Sequence, residues 1–138
     1  MLRLIAPSLA LLLTLPFAVQ AESLKDFDLG KTLQKVAKQS SVGTPRAINE
    51  DILDNGYTVQ GKELVDHLSV RPSHAAKMRA NPDVVRATLS NSVCGNPGYR
   101  QLMAQGAVLR YDFTELKTKK PVARERFTAS DCPSNAAK

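Results

Sequence analysis

Residues 94–132 read CGNPGYRQLMAQGAVLRYDFTELKTKKPVARERFTASDC, with a cysteine at each end. Just after Cys94, Asn96-Pro97 places a capping residue before a proline at the first helical position. Tyr99, Leu102 and Met103 then predict a short helix stopped by Gly106. From Ala107 to Glu115 the period falls to two. Leu109, Tyr111 and Phe113 point one way, and Arg110, Asp112 and Thr114 the other. Lys117–Lys120 forms a tip followed by Pro121. Val122 to Ala129 returns with Ala123 and Phe127 on one face and Arg124 and Arg126 on the opposite one. Placing Phe113 opposite Ala123 sets Leu109 against Phe127 and Asp112 against Arg124. That register groups apolar side chains and pairs opposite charges, so a β-hairpin is expected.

Upstream, Asn81-Pro82-Asp83 repeats the start signal, and Val85, Leu89 and Val93 follow at four-residue spacing. Cys94-Gly95 should close that helix, with the glycine just past its end. Before it, Glu63 to Val70 alternates. Leu64, Leu68 and Val70 share a face with Asp66, and Val65, His67 and Ser69 take the other, which reads as a strand, although ELVDHL alone is also compatible with a helix. Gly61-Lys62 suits a two-residue turn back to a short strand over Tyr57-Thr58-Val59. Asn55-Gly56 reads as the turn before it, and Ile48 with Ile52-Leu53 as a helical turn or two. Ser40 to Pro45 is a breaker cluster. Leu29, Leu33, Val36 and Ala37 recur at helical spacing, predicting a helix from about Asp28 to Gln39 with lysines on its remaining surface. Such a helix can lie on a membrane; packing its leucines on the domain with the lysines in water is the favoured reading. These elements predict an α+β domain with helices on a small antiparallel sheet of two hairpins.

The chain has 138 residues. Met1-Leu2-Arg3, the apolar run Leu4 to Leu15 and Ala18-Val19-Gln20-Ala21 have the layout of a secretory signal peptide, with cleavage expected after Ala21. Residues 1–21 are thus assigned to the leader, 22–132 to one domain and 133–138 to a flexible tail. The mature product is expected in the periplasm or secreted, without stable membrane insertion, and monomeric. Two cysteines in an oxidising compartment imply a Cys94–Cys132 disulfide. The loop it encloses, about 38 residues, corresponds to roughly 3–4 kcal/mol in the chain-entropy model.

The formal charge is +6, and loss of Arg3 leaves 6 − 1 = +5. A basic balance suits acidic partners, but no basic run is interleaved with aromatics and tryptophan is absent, so nucleic acid is not expected. His67 and His74, separated by Pro72, do not make a helical metal pair. They read as a strand and a loop histidine, and no metal or other cofactor is expected. No Cys-x-x-Cys, no Gly-x-Ser-x-Gly elbow and no phosphate-cradling glycine loop occurs, so no catalytic residue is assigned and the chain is read as a non-enzyme. One surface stands out. Arg110, Arg124 and Arg126 share the outward face of the hairpin, with Lys117, Lys119 and Lys120 at its tip. Six cations could grip an acidic protein or another anionic surface. Alternatively, they only discourage sheet-to-sheet aggregation.

The Cys-x-Asn-Pro opening, the short helix ending in Gly106, the Leu109-Arg110-Tyr111-x-Phe113 strand and the closing Phe127-Thr128-x-x-x-Cys132 resemble small exported bacterial proteins. With the leader and the length, the chain most resembles the quorum-sensing-regulated virulence factor family of pseudomonads. The resemblance implies a small secreted or periplasmic protein tied to virulence and brings no catalytic residues. The expected function is that of an exported protein acting by contact with a host or envelope partner. The alternatives are a periplasmic accessory of an envelope system and, less favoured, a hydrolase or metal-binding protein.

Overall fold

The computed structural model describes residues 17–134. Among the described residues four helices are present: α1 (Phe17–Ser40), α2 (Pro72–Ala80), α3 (Pro82–Cys94) and α4 (Pro97–Ala104). The strands are β1 (Arg46–Ala47), β2 (Ile52–Gln60), β3 (Glu63–Val70), β4 (Val108–Glu115) and β5 (Pro121–Phe127), and a 3-10 turn spans Ala129–Asp131. The strands form one sheet in chain order. The α+β class, both hairpins and the disulfide are present as expected. The sheet is mixed, however, because β3 pairs in parallel with β4 from Glu63↔Val108 to Val70↔Glu115. A parallel partner needs a long crossover, and α2, α3 and α4 supply it.

The expected hairpin register is the one observed: Leu109↔Phe127, Asp112↔Arg124 and Phe113↔Ala123. β2 is longer than expected. Residues 52–60 form one strand, with a bulge between Asp54 and Tyr57 where a turn was read. Gly56 sits there at φ +105°, and its N–H donates to Asp54 Oδ1 at 2.8 Å. The bulge shifts parity, so Asp54 and Tyr57 both face inward while Thr58 faces out. It also receives the end of α1: the Tyr57 N–H donates to Ser41 Oγ at 2.8 Å, and a Cβ on Gly56 would lie 3.2 Å from that oxygen. Pairing with β3 therefore prevails over the local preferences that pointed to a helical turn at 52–53.

Two capping expectations separate. Asn96 accepts from the Tyr99 N–H at 3.2 Å, a true N-cap. Asn81 makes no such bond; its side chain donates back to Lys77 O at 2.9 Å and so closes α2. Gly95 stays right-handed at φ −82°, yet a Cβ would meet Asn91 O at 2.9 Å, so glycine is required by contact rather than by conformation.

The inner face of the sheet carries two apolar clusters. Leu29, Leu33 and Ala37 of α1 pack with Leu64, Val93, Leu102, Met103, Leu109 and Phe127. Leu68, Val70 and Phe113 pack with Ala75 and Met78 of α2. Cys94 and Cys132 are joined, which ties the end of α3 to the segment after β5. The expected cleavage point after Ala21 falls within α1, and most of the expected leader, residues 1–16, lies outside the described residues, as do 135–138 of the expected tail.

Replacing both cysteines, Cys94→Ala with Cys132→Ala, is expected to lower the unfolding free energy by about 3–4 kcal/mol. Urea titration of the two proteins measures it. A loss below about 1 kcal/mol would mean that the loop is already constrained without the bond.

Candidate functional site

The hairpin places the six cations of the expected basic surface in two different settings. Arg110 does face away from the helices, but it is only 5% exposed. Its guanidinium is bidentate to Asp112, with Nε–Oδ1 and Nη2–Oδ2 both 3.1 Å, and Nη1 reaches Glu63 Oε2 at 2.8 Å and Gln60 Oε1 at 3.1 Å. Arg124 grips the same Asp112 at 2.9 and 3.1 Å, and Arg126 Nε holds Glu63 Oε1 at 2.6 Å. The three arginines and two carboxylates thus form one chain of ion pairs, Arg126–Glu63–Arg110–Asp112–Arg124. Its charges are committed to one another, and its long side chains roof over Val65, which is fully buried without a second protein layer. Arg110 therefore belongs to this roof and is not a free cation. Lys117, Lys119 and Lys120 remain exposed at the tip.

The histidines are apart. His67 is half-buried on the outer face of β3, with Nε2 2.7 Å from Thr58 Oγ1. His74 lies on α2, not in a loop, 3.8 Å from an Asp51 carboxylate oxygen. Among the described residues no group of three or more His, Cys, Asp and Glu side chains is placed to hold a metal ion.

Beneath the sheet, Asp66 faces inward, as the alternation of β3 requires. It is 5% exposed, and its Oδ1 has no hydrogen-bond partner. Tyr57, Tyr99 and Tyr111 line a void of about 10 Å³ with it. Burial first, then the neighbouring Asp54 carboxyl, pushes its pKa from 3.8 up to about 8. Burial also holds the Tyr57 and Tyr111 phenols well above their ordinary range. This void is too small for an organic ligand, which makes the cluster a feature of packing.

A larger opening lies between α2 and α3. It is a cleft of about 460 Å³ whose walls include Ile52, Met78, Val84, Val85, Leu89 and Phe113, with Lys77 and His74 on its rim. Met78 and Phe113 are buried at its floor, whereas Val84 at its mouth is 62% exposed. Two strands and two helices build it. β2 delivers Ile52, β4 delivers Phe113, and the bend at Asn81 spreads the two helices. A concavity of about 550 Å³ runs along β4 and β5, but Asp112 and Arg124 in its wall are already paired to each other. Sequence reasoning missed the cleft, because α2 was not predicted. The available signal was Ala75 and Met78, three apart, on a helix opened by Pro72.

The family model described as "Putative quorum-sensing-regulated virulence factor" matches residues 22–133. A crystal structure of a "putative secreted protein" from Pseudomonas aeruginosa is 68% identical, with a TM-score of 0.78, covering 80% of this chain and 97% of that one. Two pilotins of type 2 secretion systems share the fold. EpsS of Vibrio vulnificus has 14% identity and a TM-score of 0.69, with 80% and 97% of the two chains covered. AspS of Vibrio cholerae has 17% identity and a TM-score of 0.65, with 81% and 99% covered. No curated protein matches the chain in sequence.

Arg110→Met is expected to cost roughly 3–5 kcal/mol, since it leaves Glu63 and Asp112 short of their shared buried cation. Arg124→Ala, on an exposed partner, should cost at most about 1 kcal/mol. Equal losses in denaturant would show that burial of Arg110 is not what distinguishes it. Asp66 sets a pH dependence. Its folded pKa lies above its unfolded one, so its contribution to stability is full below about pH 3.8, falls as pH rises, and is lost by about pH 8. The slope from this group approaches about 1.4 kcal/mol per pH unit within that window. Asp66→Asn should flatten the curve of unfolding free energy against pH, and an unchanged slope would show the carboxyl to be ionised in the folded chain.

Proposed function

This chain belongs to the quorum-sensing-regulated virulence factor family, and on that premise we propose that it is an exported contact protein, not an enzyme, that seats an apolar segment of a partner protein in the α2–α3 cleft. The observation that carries this reading is the cleft itself. An opening of about 460 Å³ takes two or three apolar side chains, and its floor and walls are apolar while its rim is polar. Exposed Lys77 on that rim favours a segment with an acidic residue beside its apolar ones. The disulfide fits an oxidising compartment, and so does the description of the Pseudomonas aeruginosa relative as secreted.

A second reading makes the chain a periplasmic accessory of an envelope system. It draws on the fold shared with the two pilotins, a likeness that reaches the fold alone. Both readings use the same cleft and differ in the partner. Fractionation separates them: an effector accumulates in culture supernatant, an accessory in the periplasmic fraction.

A photocrosslinking side chain at Thr88, on the cleft wall, is expected to give one discrete protein adduct in cells exporting the chain. Val84→Glu should abolish that adduct while leaving the melting temperature within a degree or two, because the position is largely exposed. An adduct that persists in Val84→Glu would refute the cleft as the contact. A small molecule retained through native mass spectrometry would refute the protein partner.

A further inference from the structure

α1 buries one face, with Leu29, Leu33 and Ala37 against the sheet. At 100° per residue, the opposite face collects Leu24, Phe27, Lys31, Lys35 and Lys38 into one stripe about 21 Å long. Leu24 is 65% exposed and Phe27 60%, two of the largest apolar side chains left open to solvent. All three lysines are exposed. Among the described residues no ion pair engages them; Asp26, on the sheet-facing side of the helix, is taken by Lys62 at 2.9 Å, and the exposed Asp28 is the one carboxylate at the edge of the stripe among the described residues. Lys31 Nζ lies 4.7 Å above the Phe27 ring, so charge and apolar surface are contiguous.

From this stripe we propose that α1 docks on an anionic lipid surface, with Leu24 and Phe27 entering the headgroup layer and Lys31, Lys35 and Lys38 resting on lipid phosphates. A protein partner would need complementary relief. The stripe is the convex outside of a single helix, with lysines about one turn apart, which suits a plane of negative charge that moulds itself to the helix. The large apolar groups lie at one end only, so the helix sits tilted with that end lower. Among the described residues no helix is long and apolar enough to cross a membrane, and the contact is therefore peripheral. It shares no residue with the α2–α3 cleft and does not rest on that reading.

The test uses the chain as cells process it, purified from the exported fraction, and sedimentation with vesicles. Binding is expected to phosphatidylethanolamine vesicles containing one quarter phosphatidylglycerol, and not to phosphatidylcholine vesicles. Lys31→Glu, Lys35→Glu and Lys38→Glu together should weaken it on the order of a hundredfold or more, and Leu24→Ser with Phe27→Ser at least about tenfold. All five positions are exposed, so melting temperatures should hold. The chain has no tryptophan, so Phe27→Trp gives a single reporter whose emission should move to the blue on anionic vesicles. Equal binding to neutral vesicles, unchanged affinity in the lysine variant or an unmoved emission would overturn the proposal. So would lysine-dependent binding to a polyglutamate peptide without any binding to vesicles, which would assign the stripe to an acidic protein instead.

Discussion

The parallel pairing of β3 with β4 is the constraint on which the rest of the structure depends. Each hairpin alone would be a ribbon with two open edges. Joined side by side in parallel, and with β1 on the outer edge of β2, they become one five-stranded sheet, and the chain must travel from the end of β3 back to the start of β4. Three helices make that journey across the inner face, and their bends leave the cleft. On the outer face the same pairing sets Val65 beside Arg110 and brings Glu63 within reach of a guanidinium 47 residues away. A central strand pair is normally covered on both sides. Here helices cover one side, and ion-paired arginines lying flat cover the other.

Arginine and lysine divide the labour in this basic chain. Arg79 clasps Glu115 and the carbonyl of Pro121, holding α2 to the tip end of the hairpin. Arg86 stacks 4.7 Å over Phe127 and reaches Glu125 and Asp131, fixing α3 to the strand and to the turn that follows. Arg110 sits at the centre of the roof. Each uses the planar fork of the guanidinium to satisfy two or more acceptors, which an ammonium group does less well. The lysines of α1 and of the hairpin tip are left in water. The positive charge available to a partner is therefore mostly lysine charge, away from the arginines that the alternation of β4 and β5 first brings to notice.

Much of this was legible in the residues. The β4–β5 register followed from alternation and charge pairing, and the helix starts at Pro82 and Pro97 from local signals. What escaped was decided by distant neighbours. Asn55-Gly56 has the composition of a turn, yet β3 and Ser41 hold it as a bulge inside a strand. Arg110 alternates outward as read, but its burial depends on Glu63, which no local pattern brings near. The parallel pairing itself has no signature in either strand. The stripe on α1 was hidden because the periodic leucines begin at Leu29, while the helix begins earlier and turns Leu24 and Phe27 outward.

The spacing of the paired strands also bears on the order in which the molecule can come together. The partners Glu63 and Val108 lie 45 positions apart, and Cys132 follows every strand of the sheet. A chain that appears N-terminal end first, as in synthesis, therefore has β1, β2 and β3 together while the far edge of β3 is still unpaired. That edge waits until residues 108–115 arrive. Thiol oxidation waits longer still, because the second cysteine is delivered after the last strand. The topology thus postpones closure of the sheet until nearly the whole chain is present, and leaves the rim of β3 open until then.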